Sequence, residues 1–194
     1  INMWQGTLRT TGGELDCEDP NKSYWYAIDY IWTDGKWKYA TSDNQLSLTI
    51  LDDDNQQRAI HNSAISEAHK TLGIMLAPDG NEKAQIIKME NASKKFADSI
   101  RVGYIRGEDV LQALRSTIMR TLSYPLPTIC LTKKECNKIM KPILYSVLPK
   151  LKIVRTIKRT VLYGPKYLQG MGFQNLYTLQ GGAHLSLFLQ FFGL

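Results

Sequence analysis

The stretch Lys70-Thr71-Leu72-Gly73-Ile74-Met75-Leu76-Ala77-Pro78-Asp79-Gly80-Asn81 constrains this chain more than any other. Leu72 to Leu76 reads as one short strand. Pro78 sets φ for the first turn position, Asp79 can bond its own backbone, and Gly80 accepts positive φ. Asn81 then stands where a helix N-cap would stand. A strand is thus handed to a helix through a tight turn, and the two sides of that turn differ in kind. Residues before it are acidic, aromatic and strand-like; residues after it are basic, aliphatic and helical. The pattern predicts an α+β protein, with antiparallel β-hairpins or a small sheet over residues 1–80 and a helical bundle over 81–194.

Charge sharpens the division. Residues 1–80 hold 6 Lys/Arg against 12 Asp/Glu, whereas residues 81–194 hold 18 against 6. From Val110 onward one acid, Glu135, faces 12 basic residues, a balance that points to a polyanionic partner. A hydrophobic share of 43% over 194 residues provides for one domain, or two small ones, with a true core. The cysteines Cys17, Cys130 and Cys136 lack any short paired spacing. They argue against a disulfide scaffold or a zinc site and fit a reducing, intracellular setting, cytoplasmic or nuclear. No basic region followed by an apolar run opens the chain, so a secreted protein is not expected. Ile1-Asn2-Met3-Trp4 reads as the middle of something, and a fragment of a longer chain is expected.

In the acidic half, Ile1, Met3, Trp4 and Leu8 take helical spacing, and Thr11-Gly12-Gly13 would end that helix. Tyr24 to Trp32 and Lys36 to Tyr39 flank Asp34-Gly35, a β-hairpin signal. The face carrying Tyr24, Tyr26, Ile28, Tyr30 and Trp32 is expected to be the more buried. Leu46, Leu48 and Ile50 alternate as a half-buried strand, with Gln57 to Ile60 returning beside it. Asp52-Asp53-Asp54 has the residue type that holds Mg²⁺ in polymerases and nucleases. Consecutive carboxylates at a hairpin tip diverge into water, however, so a turn is expected there. His61 and His69 read as surface histidines.

In the basic half, a helix is expected from about Glu82 to Val102, with Ile86, Met89, Phe96 and Ile100 inward, and a second from about Glu108 to Leu122. Tyr124-Pro125-Leu126-Pro127 should be an extended connector. Thr132-Lys133-Lys134-Glu135 is a capping box opening a third helix, kinked at Pro142 and ended by Pro149. Lys150, Lys152, Arg155, Lys158 and Arg159 then interleave with aliphatic residues, so that the cations can face a phosphate backbone. Gly181-Gly182 reads as a turn leading into a last apolar helix, Ala183 to Phe192, which is too short to span a bilayer. No P-loop, GxGxxG, HExxH, GxSxG or CxxC pattern occurs.

Several of these segments, in order, resemble the C-terminal portion of reverse transcriptases of non-LTR-type retroelements. Trp4 to Gly13 followed by Lys22-Ser23 resembles the late palm. Leu72-Gly73-Ile74 is similar to the core of the primer-grip hairpin. The helices from Glu82 resemble the thumb, and Tyr163-Gly164-Pro165 to Gly170-Met171-Gly172-Phe173 resembles the Gly-rich segment after it.

The resemblance implies a parent RNA-directed DNA polymerase that uses Mg²⁺. In it Lys22 would sit near the incoming triphosphate, and Leu72, Gly73 and Ile74 would position the primer end. Lys94, Lys95, Arg101, Arg115 and Arg120 would meet the phosphates of an RNA–DNA or DNA duplex. The family's Tyr/Phe-x-Asp-Asp motif is not in these 194 residues. The fragment itself would therefore be inactive, hold no cofactor, and work with the upstream remainder of its own polypeptide. Two other readings stay open: a free-standing nucleic-acid-binding module, and a protein-interaction domain using the apolar C-terminal tail. No membrane partner is expected.

Overall fold

The computed structural model describes residues 10, 11, 19, 22–40, 47–51 and 56–193. The chain is α+β and divides into two compact units, Ile1–Asn81 and Glu82–Leu194. The expected N-terminal helix over residues 1–10, Gly12-Gly13 and Asp52-Asp53-Asp54 lie wholly or almost wholly outside the described residues.

Among the described residues the first unit holds four two-stranded ladders. β1 (Tyr24–Trp25) pairs in parallel with β6 (His61–Asn62), while β2 (Asp29–Thr33) and β3 (Lys36–Ala40) form an antiparallel hairpin. β4 (Thr49–Leu51) pairs with β5 (Gln57–Ala59), and β7 (His69–Thr71) with β8 (Ile74–Leu76). Asp34 and Gly35 take φ of 54° and 73°, the left-handed pair that matches hairpin twist.

The aromatic face differs from expectation. Every residue of β2 is exposed, and Trp32 meets Trp37 edge-on at 5.2 Å between ring centroids. A two-stranded hairpin buries a face only when another layer covers it, and alternation does not specify that layer. Tyr24 and Trp25 leave the hairpin altogether: Ser63 N–H donates to Trp25 O, and Trp25 Nε1 donates to Ile60 O at 3.2 Å. The strand expected over Leu72–Leu76 is shorter too. Leu72 and Gly73, at φ 48° and 90°, are the turn of the β7–β8 hairpin, and the strand begins at Ile74.

The Pro78-Asp79-Gly80 turn forms as its chemistry dictates. Gly80 N–H donates to Ala77 O, Gly80 has φ 75°, and Asp79 Oδ1 accepts from Asn81 N at 2.8 Å. Asn81 is therefore inside the turn, and Glu82 is the N-cap.

The second unit holds the main apolar core. α1 (Lys83–Val102) packs most extensively on α4 (Lys133–Lys150). Met89 and Ile100 lie in the core, while Ile86 and Phe96 are half-buried against it. Between α1 and α4 runs one helical stretch: α2 (Gly107–Ala113), a π turn (Leu114–Ile118) and α3 (Met119–Ser123). The Tyr124–Pro127 segment is wound into turns rather than extended. Leu126 N–H returns to Ser123 O and Thr128 N–H to Pro125 O, which lets Leu126 reach the core.

Thr132 and Glu135 make the capping box of α4 from both sides. The Thr132 hydroxyl and backbone N–H hold the Glu135 carboxyl below its ordinary range. Cys136, Ile139, Met140, Ile143, Leu144 and Val147 are all buried. α4 runs through Pro149 to Lys150, because a proline in the last turn removes only one hydrogen bond, the one to Tyr145 O.

After α5 (Arg159–Tyr163), residues 164–173 close a loop around a short 3₁₀ turn, Lys166–Leu168. Gly172 N–H donates to Gly164 O and Met171 N–H to Val161 O, each at 2.9 Å. A Cβ on Gly170 would lie 2.2 Å from the Gly164 backbone, so only glycine permits this crossing. α6 (Leu176–Phe191) is one helix through Gly181-Gly182, not a turn followed by a helix. It starts early because Asn175 Oδ1 accepts from Tyr177 N. The Gln180 amide bonds both N–H and C=O of Leu131, and His184 Nε2 lies 2.9 Å from Leu126 O. Among the described residues no helix is long and apolar enough to cross a membrane.

Candidate nucleic-acid interface

Among the described residues, chemistry-bearing groups gather in each unit. In the first unit, Ser63 Oγ lies 2.5 Å from His69 Nε2 and 2.9 Å from Glu67 Oε2, with the Tyr24 ring stacked on His69 at 3.7 Å. His69 is buried, contrary to the surface position expected, because the hairpin register turns it inward as the aromatic partner of Tyr24. The trio looks like a nucleophile with its base, but the protons run the wrong way. Ser63 donates its one proton to the Glu67 carboxylate, which leaves its oxygen to accept from His69 Nε2, and His69 Nδ1 has no partner. A histidine that donates to a serine cannot activate it. Ser63 is also buried, and the cluster is core.

In the second unit an open groove of about 880 Å³ lies between α1 and α4. α1 contributes Lys94 and Arg101 at helical spacing. α4 contributes Lys141, Tyr145 and Lys150, and Arg155 reaches in from the following turn. Pro149 explains how Arg155 is held. With no N–H at Pro149, Tyr145 O is free of its helical partner, and Arg155 Nε donates to it at 3.2 Å. The Arg155 guanidinium also lies 4.1 Å from the Tyr145 ring centroid, a cation–π contact that fixes the cation without neutralising it.

Two further cations of the groove are engaged as well. Lys150 Nζ donates to Gly103 O at 2.8 Å, tying the end of α4 to the end of α1. Arg101 pairs with Asp98 at 3.2 Å, and because both side chains are exposed the pair contributes little and leaves the cation accessible. Asp98 is the one acid among the groove's lining residues. The result is a strip of like charge along two packed helices, backed by the apolar surfaces of Ala97, Pro142 and Pro149.

The structure thus brings Lys94, Arg101, Lys150 and Arg155 together and adds Lys141 and Tyr145. Those two follow from helical spacing, since residues 141, 145 and 149 share a face beside the buried stripe. Lys95 is exposed on α1 but does not line the groove. Lys152 stands in a turn at φ 59°, Lys158 is the N-cap of α5 and Arg159 its first residue. Arg115 and Arg120 line a separate depression at the π turn.

Lys22, Leu72, Gly73 and Ile74 belong to the other unit. Lys22 is exposed in a turn closed by its N–H to Asp19 O, and Ile74 is buried. Burial raises the Cys136 thiol to about 11, which keeps it protonated and unreactive. Among the described residues no group of three or more His, Cys, Asp or Glu is placed to hold a metal ion. No protein-family model, curated protein or solved structure matches the chain.

Proposed function

We propose that this chain is the nucleic-acid-gripping part of an RNA-directed DNA polymerase, in which the helical unit holds the primer–template duplex by its phosphates. The observation that carries the binding part is the α1–α4 groove, where Lys94, Arg101, Lys141 and Arg155 line one strip with one acid among them. Phosphate contacts of this kind position a duplex without reading its sequence. The exposed Leu72-Gly73 turn suits close approach to a primer end, since glycine lets a backbone come near. Lys22 would act beside the incoming triphosphate. The catalytic carboxylates and their Mg²⁺ would come from the upstream polypeptide, and the fragment alone polymerises nothing.

Two measurements test the parts separately. Duplex affinity followed against salt should fall with a log–log slope of several units. No binding at low salt contradicts the nucleic-acid reading. The coding sequence upstream of Ile1 should encode Tyr/Phe-x-Asp-Asp within about one domain length, on the order of 100–150 residues. A start codon next to Ile1 contradicts the polymerase reading and leaves a free-standing binding module.

A second reading rests on α6, whose end exposes Leu185, Leu187, Phe188, Phe191 and Phe192. Such a patch suits a protein partner. Failure to bind duplex, together with concentration-dependent association lost in Phe188→Ser, would favour it.

A further inference from the structure

The π turn at Leu114–Ile118 interrupts a helical stretch that has no proline and whose one glycine, Gly107, is its first residue, seven positions before the turn. Met119 N–H reaches back five residues to Leu114 O. Such turns are rare, occur mostly as single turns inside α-helices, and are frequent at functional sites. The hydrogen-bonded pair Leu114 and Met119 are both buried, so the turn carries Met119 into the core beside Leu114 and Ile118.

The same turn also changes the outer face. Residues five apart on an α-helix diverge by about 140°. In a π turn, residues i and i+5 are the hydrogen-bonded pair and lie nearly above one another. Arg115 and Arg120 are five apart across this turn. Both are exposed, and both line one depression of about 440 Å³. Among the described residues neither guanidinium has an ion-pair or hydrogen-bond partner. Glu108 is the one acid lining the depression and pairs with neither, while Ser116 has its hydroxyl proton committed to Gln112 O at 2.8 Å. Two unpaired guanidinium groups brought to one rim repel each other until an oxyanion lies between them, and their planar forks match phosphate oxygens.

The geometry points to the π turn as a phosphate clamp, which sets Arg115 and Arg120 to chelate one phosphate group together. The ligand class is a phosphate, whether in a nucleic-acid backbone or free. The inference needs no polymerase, so it stands or falls apart from that reading.

The test uses the full 194-residue chain. Arg115→Gln, Arg120→Gln, the double variant and a deletion of Thr117 are compared with wild type for binding a short RNA–DNA duplex and for binding pyrophosphate. The deletion removes one residue from the π turn while keeping both arginines. Each single substitution should weaken binding roughly tenfold, as for loss of a charge-assisted hydrogen bond. The double variant should lose little more than either single one, because a clamp needs both jaws. The Thr117 deletion should lose as much as the double, with helix content unchanged by circular dichroism.

Losses seen with duplex alone identify a backbone phosphate, and losses seen also with pyrophosphate identify a free one. Duplex binding that persists unchanged in all variants, with no pyrophosphate binding to lose, overturns the clamp while leaving the groove intact. Simple additivity of the two substitutions overturns it too, and remains readable if the deletion fails to fold.

Discussion

Among the described residues Leu72 is the one least suited to its own backbone. It holds φ 48° and is 87% exposed, although leucine has neither the missing Cβ nor the short polar side chain that makes this conformation tolerable. Asparagine fits the same turn better, so Leu72→Asn should raise stability by about 0.5–1 kcal/mol, read as a shift in denaturant midpoint. An unchanged or lower midpoint would show that the leucine side chain already contributes to the fold. If duplex affinity falls while stability rises, Leu72 is retained for contact with another molecule rather than for the turn. His69 shows the limit of residue-by-residue reading. Its burial depends on Tyr24, 45 positions away, and no local pattern around His69 announces that ring.

At the scale of elements, the helices were readable where the signals are local. Thr132 and Glu135 announce the start of α4 three residues apart, and its buried stripe follows from 3.6-residue periodicity. The π turn was not readable, because Leu114 and Ile118 fit an α stripe equally well. The aromatic hairpin failed for a different reason. Alternation says which side chains share a face, but whether another layer covers that face is a tertiary fact. Gly181-Gly182 misled as turn punctuation because the Gln180 and His184 contacts to the 126–131 loop hold the helix continuous on either side. Both glycines have open space where a Cβ would stand. Gly181→Ala and Gly182→Ala should each stabilise the fold by about 0.5–1 kcal/mol, measured by thermal melting. A loss of stability would mean that the helix backbone is approached closely at those positions.

For the molecule as a whole, the charge division marked the basic half but not the groove. The densest run of cations in the sequence is residues 150–159, whereas the strip arises from packing α1 on α4, a non-local event. That packing assigns Lys150 to the end of α1 and leaves Lys94, Lys141 and Arg155 facing solvent along one cleft. The central claim is that this cleft holds a phosphate backbone. The most direct measurement is the affinity of Lys94→Glu with Lys141→Glu for an RNA–DNA duplex, followed across salt. The double charge reversal should weaken binding at least roughly tenfold near 0.1 M salt and lower the log–log salt slope by about two units. The melting temperature should stay close to that of wild type, since both side chains are exposed. Unchanged affinity and slope in a folded variant would contradict the assignment of the α1–α4 groove.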